Sequence, residues 1–252
     1  MRSKNKTRRF LYSVFAFTAV LFVCVIAAGT FIAVRFIDNE ASRREYARLR
    51  AKDGETPLSP VVLSPDDPNG NNNKLSVDAA YYTNINADFF GWLYIEGTNV
   101  DYPVALGTDN TKYLNTSFTG SRNPNGTVFL DYRCRGDYNP HLIIYGHNAE
   151  RGEMFADLLK YLDASYMAAN PVLLISDGGV ETEYAIFAAR GTDIFDPAYR
   201  LNFDGPDEFA RFAAACGAPE GTVNIVTLST CVNGPDKSRR VIVQGATGVR
   251  FD

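Results

Sequence analysis

The chain has 252 residues, 46% of them hydrophobic, and a net charge of −4. That is enough apolar content for one globular domain with appendages. The mild acidity gives no electrostatic ground for a nucleic-acid partner, and none is expected.

Taken in chain order, a basic segment (1–9) with Lys4, Lys6, Arg8 and Arg9 precedes an uncharged run, Phe10–Val34. At about 1.5 Å per residue, a helix of that length crosses a hydrocarbon core about 30 Å thick. A cleaved signal peptide is the rival reading, with Ala27–Gly29 as its cleavage candidate. Its apolar region would be only roughly 7–15 residues long, so an uncleaved anchor over 10–34 is favoured. The basic start predicts a cytoplasmic N-terminus and places the bulk of the chain outside the cell. Arg43, Arg44, Arg48, Arg50 and Lys52 weigh against that orientation.

Residues 35–74 read as appendage. Phe36–Lys52 is charged and helix-compatible, a juxtamembrane stalk. Asp53–Lys74 is rich in Pro, Asn, Gly and Asp and reads as a linker. The folded domain is expected over 75–252. It opens with a helix over Ser76–Phe90, with Ser76 as candidate cap. Two short strands follow around the Gly-Thr-Asn turn of "WLYIEGTNVDYPV". "GTVFLDY", "HLIIYGH", "PVLLISD", "ETEYAIFAAR", "TVNIVTLSTC" and "RRVIVQG" read as further strands, with Asp177-Gly178-Gly179 as a hairpin turn. Helices are expected around Met154–Ala168 and Pro206–Cys216, the latter with proline at its first position. Many short strands and few helices predict a mainly β fold, a barrel or sandwich.

Three cysteines lie beyond the apolar run: Cys134, Cys216 and Cys231. An odd number in an oxidising space leaves at least one free thiol. The bland reading is an inert buried thiol; the sharper one is a working nucleophile plus a candidate Cys134–Cys216 bridge. Cys231 ends "VNIVTLSTC" among Thr, Ser and Asn, where a strand gives way to a polar loop. It shares strand parity with Ser229 and Thr227, opposite Leu228 and Val226, so the apolar side chains can turn inward while Cys231 meets solvent. The two histidines are His141 and His147, at either end of one strand. His147 sits in a strand-end turn, a common origin of side chains that reach into clefts; taken singly, either histidine is more often structural. Arg239 and Arg240 open the last strand, and alternation turns one of them toward a cleft and the other toward solvent. A thiolate, an imidazolium and a fixed cation together are what acyl transfer requires.

"TLSTC" followed by "R-x-V-I-V", with "YGHN" upstream, resembles the sortases, in particular those of class B. "GWLYIEGTNVDYPVALGTDNTKYLNTSF" and "YGHNAERGEMFADLLKY" extend the likeness over roughly Ala80–Val243. The resemblance implies a sortase-like closed β-barrel of about eight strands, with helices before and between strands. It maps the family's catalytic Cys onto Cys231 and its His onto His147. Its Arg, one residue before the apolar run, maps onto Arg239, with Arg240 as the alternative. Tyr145 and Ser229, two positions before His147 and Cys231 on the same faces, become candidate substrate-binding residues. The implied reaction cuts a C-terminal sorting signal of a secreted protein after Thr and passes the acyl group to an amine of a cell-wall precursor. It needs no metal or organic cofactor. The alternatives are an exported cysteine peptidase that uses water, a pilin-joining enzyme that uses a protein lysine, and a non-enzymatic surface module.

Overall fold

A computed structural model describes residues 2–51, 61–62, 74–75, 77–135, 139–149, 152–178, 180–232 and 234–248; most of the expected linker lies outside them. Helix α1 (Arg2–Ala51) includes the uncharged run, whose large apolar side chains from Tyr12 to Val34 are exposed. It is the one described helix long and apolar enough to cross a membrane. The chain divides into two compact units, Met1–Ala41 and Ser42–Asp252.

The second unit corrects the expected boundary near Leu75. Ser42–Ala51 is part of the folded domain rather than a free stalk. Tyr46, 3% exposed, donates from its hydroxyl to the Gly126 carbonyl at 2.7 Å and meets Tyr102 edge-on. The Leu49 carbonyl accepts from the Tyr82 hydroxyl at 2.7 Å. Arg50 pairs with Asp101 at 3.3 Å and lies over the Tyr102 ring. Asp101 also accepts from the Trp92 indole at 2.7 Å. Its carboxyl is still pushed up, because burial outweighs the Arg50 charge and the indole bond. Charges that look solvated in the sequence are docked partners in the fold.

The entry helix is shorter than expected. Strands β1 (Val61–Val62) and β2 (Lys74–Leu75) pair with each other, and α2 (Ala79–Ile85) follows. Asp78, not Ser76, caps it, its side chain accepting from the Tyr81 N–H at 3.0 Å. Phe89 and Phe90 already belong to β3 (Phe89–Tyr94), which turns back into β4 (Asp101–Ala105). Then come β5 (Val128–Leu130), β6 (His141–Tyr145), β7 (Val172–Asp177) and β8 (Val180–Asp193), the last two forming the expected hairpin. Between β6 and β7 the expected helical stretch is a 3₁₀ segment (Ala156–Leu162) and α3 (Ala164–Ala169). Helix α4 (Pro206–Ala215) leads to β9 (Asn224–Cys231) and β10 (Arg239–Thr247).

Eight strands close into a barrel in the order β10-β8-β7-β3-β4-β5-β6-β9. Its interior holds Leu93, Val104, Leu130, Ile144, Val226, Leu228 and Val243, all at or near zero exposure. Two of the pairings are parallel, β4 with β5 and β6 with β9. The second sets His141 beside Ile225, Ile143 beside Thr227 and Tyr145 beside Ser229. These residues form the outer face of the sheet, because Val226 and Leu228 turn inward. Helix α4 covers one end of that face, packing Phe209 and Phe212 on Ile225. The other end stays open.

A buried polar chain fastens the segment between β8 and α4 across the same face. Gln244 donates to Thr227 Oγ1 at 3.1 Å, and Thr227 meets His141 Nε2 at 2.8 Å. His141 Nδ1 lies 2.7 Å from the Arg200 carbonyl, which can only accept, so Nδ1 carries the proton and Nε2 accepts. Burial holds this imidazole neutral, with its pKa lowered to about 4. His141 is therefore a structural residue.

The unfolded chain binds a proton at His141 below about pH 6.5, whereas the folded protein resists it down to about pH 4. Stability should be fully present above pH 6.5 and fall as pH drops toward 4, by on the order of 3 kcal/mol from this group. Thermal melts of wild type and His141→Asn between pH 7 and 4 check this. The variant should melt lower at pH 7 and show a shallower pH slope.

Candidate active site

The open end of the outer face is the floor of a cavity of about 440 Å³. Cys231, the last residue of β9, is an exposed free thiol on its wall. Ser229, Tyr145 and His147 line the same cavity. Topology accounts for the convergence. In the parallel β6–β9 pair both strands run to the same end of the barrel. Tyr145 stands beside Ser229, so two residues further on His147 arrives level with Cys231. The Gly146 N–H extends the ladder to the Ser229 carbonyl at 3.2 Å.

The turn that carries His147 is tightly built. A Cβ on Gly146 would sit 2.6 Å from the ring of fully buried Phe155, so glycine is required by this close approach. The His147 carbonyl accepts from the Phe155 N–H at 2.9 Å. His147 Nε2 lies 2.8 Å from the Leu114 carbonyl and must therefore carry a proton. In the neutral ring the lone pair is then on Nδ1.

The cation is the point at which the sequence assignment and the structure part. In the antiparallel β9–β10 ladder Arg240, not Arg239, is the partner of Cys231. Directly opposed residues project to the same face, with Cβ atoms about 4.5–5.5 Å apart. Arg240 lines the cavity, while Arg239 is exposed, faces the other way and pairs with Asp193 of β8. Arg240 Nη1 donates to the carbonyls of Lys237 and Arg239, at 2.7 and 2.8 Å, which fixes the guanidinium. A register one residue away would exchange the two arginines.

Ser229 is buried, its hydroxyl 2.8 Å from the Tyr199 hydroxyl. Tyr145 lies nearly parallel to the Tyr199 ring, with centroids 6.5 Å apart. Its own hydroxyl donates to Asp131 at 3.0 Å. Burial, then the Asp131 charge, pushes the Tyr145 hydroxyl well above its ordinary pKa. Tyr199 is also pushed up by burial, opposed by its bond with Ser229 and the positive charge of Arg240. Both phenols stay protonated at neutral pH. Thr230 points away from Cys231's face and is buried, its hydroxyl without a hydrogen-bond partner. Cys134 and Cys216 are free thiols, not a bridge: Cys134 contacts the His141 carbonyl and Cys216 follows the end of α4. No group of His, Cys, Asp and Glu among the described residues could hold a metal ion.

The Sortase domain family model matches residues 93–247. The chain belongs to the class B sortases. It is 33% identical over 172 residues to Sortase B of Listeria monocytogenes, covering 64% of this chain and 70% of that protein. It is 26% identical over 235 residues to Sortase B of Staphylococcus aureus, covering 89% of this chain and 92% of that one. Among solved structures, a Staphylococcus aureus sortase B–substrate complex superposes with a TM-score of 0.61 at 26% identity. That match covers 67% of this chain and 83% of the other. Sortase B from Listeria monocytogenes superposes at 0.58 and 33% identity, over 65% and 97%. The protein is a cysteine transpeptidase with the sortase barrel.

Sequence reading missed several residues that shape this sortase's cavity: Asn110, Leu114, Phe129, Arg133, Ile194 and Tyr199. Tyr199 had a local signal. Asp196 caps the short turn Pro197–Tyr199, its side chain accepting from the Ala198 N–H at 2.7 Å. The pair Asp-Pro is a helix-start signature. The others come from loops and strands whose proximity to Cys231 only tertiary pairing creates.

Gly146→Ala should displace Phe155 or the His147 turn, costing about 1–3 kcal/mol of stability. Denaturant titration measures that loss, and reduced transpeptidase turnover should accompany it.

Proposed function

We propose that Cys231, His147 and Arg240 carry the acyl transfer, with a protein's C-terminal sorting signal as donor and an amine of a cell-wall precursor as acceptor. The observation that carries this reading is the presence of all three side chains on one cavity wall, with Arg240 directly across the ladder from Cys231.

The Cys231 thiolate attacks the carbonyl carbon of the scissile bond, after Thr in the expected signal. As the S–C bond forms, the carbonyl π pair moves to oxygen, and the Arg240 guanidinium stabilises that oxyanion. His147, its Nε2 held on the Leu114 carbonyl and its Nδ1 carrying the proton taken from the Cys231 thiol, delivers that proton to the departing amine. The C–N bond breaks and leaves a thioester on Cys231. The acceptor amine then attacks the thioester, His147 takes up its proton, and the thiolate departs as the new amide forms. Ser229, Tyr145 and Tyr199 line the donor's path. These steps need no metal or organic cofactor.

Helix α1 supplies the anchor in this reading. Its uncharged, solvent-facing apolar run suits a hydrocarbon core better than water, and the basic residues before it favour a cytoplasmic start. The catalytic domain then works outside the cell.

The test is a library of quenched peptides built around Asn-Pro-x-Thr, the signal type that the class B resemblance implies, cleaved by the full chain in detergent, with and without an amine acceptor. Cleavage after Thr and an amide product with the added amine are expected; cleavage with water as the sole acceptor whatever amine is supplied would contradict transfer. Cys231→Ala should abolish turnover. Arg240→Ala should lower kcat by roughly 10²–10³-fold. Arg239→Ala should stay within about 2-fold, as exposed substitutions usually do. The reverse order of the two arginine effects would overturn the assignment.

A further inference from the structure

Asp131 follows β5 and has a fully buried side chain. It does not line the cavity, yet it binds three polar residues that do. Oδ1 accepts from the Arg133 backbone N–H at 3.0 Å and from Arg133 Nε at 2.9 Å. Oδ2 accepts from Arg133 Nη2 at 2.8 Å, Asn110 Nδ2 at 3.0 Å and the Tyr145 hydroxyl at 3.0 Å. Asn110 is fixed at both ends, since its Oδ1 also accepts from the Tyr132 N–H at 3.0 Å.

Each bond limits what the cavity can offer a ligand. Tyr145 spends its hydroxyl hydrogen on Asp131, so its oxygen presents only lone pairs. Arg133 commits Nε–H and one Nη2–H, which leaves the Nη1 hydrogens and the second Nη2–H as its outward donors. The carboxylate also balances the guanidinium charge, so the wall is polar without a net charge. Such a wall suits neutral peptide groups, amides and carbonyls, rather than a carboxylate or an ammonium. We propose that Asp131 is a positioning residue for donor-peptide recognition, presetting Tyr145, Arg133 and Asn110 as a neutral hydrogen-bonding wall. Nothing in the transfer chemistry at Cys231 passes through it. The inference rests on the peptide-donor reading above.

The test separates recognition from the reactive thiol. The donor is the library peptide that wild type cleaves fastest; the thiol probe is iodoacetamide, too small to need the wall. In Asp131→Asn, KM for the peptide should rise about 10-fold, the size of one charge-assisted hydrogen bond, with kcat little changed. Cys231 alkylation should stay within about 2-fold of wild type at a temperature where both are folded. Tyr145→Phe keeps the ring, removes one tie and should raise KM by about 3-fold. Combined with Asp131→Asn it should add nothing, because the tie it removes is one of those that Asp131→Asn already breaks. If Asp131→Asn does not fold, Tyr145→Phe alone decides: a KM equal to wild type sinks the proposal. An unchanged KM in Asp131→Asn, alkylation falling in step with kcat, or fully multiplicative effects in the double variant would also overturn it. A wild-type enzyme that cleaves no library peptide removes the donor reading and this inference together. Wild-type cleavage with an indifferent Asp131→Asn removes the inference alone.

Discussion

The site depends on β9 lying between two neighbours of opposite sense. Its parallel partner β6 ends where it ends, and its antiparallel partner β10 begins there. Strands in a sheet lie about 4.8 Å apart, so three residues distant in sequence are carried to neighbouring positions on one rim. His147 leaves the end of β6, Cys231 closes β9 and Arg240 opens β10. The crossover needed to make β6 and β9 parallel is long, and it contains β7, β8 and α4. A closed barrel has no free edge at which these strands could slip or pair elsewhere.

The outer face of these strands does a second job. In a small barrel the interior takes the apolar side chains, and the outer face is usually left to solvent. Here Thr227, Gln244 and His141 are buried on that face and hydrogen-bonded to one another. The chain continues through Arg190, which donates to Gln244 at 2.9 Å and pairs with Asp196 at 2.9 Å. Asp196 and the Arg200 carbonyl are the two ends of the segment that carries Tyr199. A satisfied polar network thus sets the height of one cavity wall above the strand floor. Buried networks of this kind specify geometry more than they add stability.

What the sequence revealed follows from what is local. The thiol at the end of an apolar run, the histidine in a glycine turn and the strand count are local patterns, and each is in place in the fold. The choice between Arg239 and Arg240 is not local. It depends on which residue of β10 faces Cys231, and only the ladder's register fixes that. The boundary near Leu75 misses Ser42–Ala51 for a related reason: the charged segment 36–52 reads as a stalk, but the partners of Glu45 and Arg50, Thr119 and Asp101, lie far along the chain. Asp131 left no mark, because a buried aspartate after a short strand looks like a turn residue until Asn110, Arg133 and Tyr145 are brought to it.

The register of β9 against β10 is tested most directly by a crystal structure of the enzyme alkylated at Cys231 with a peptidyl chloromethyl ketone. Its ketone oxygen marks where the oxyanion forms. The account predicts the Arg240 guanidinium within hydrogen-bonding distance of that oxygen, with the His147 ring on the other side of the sulfur. Arg239 in that position, or neither arginine near the ketone, would contradict it.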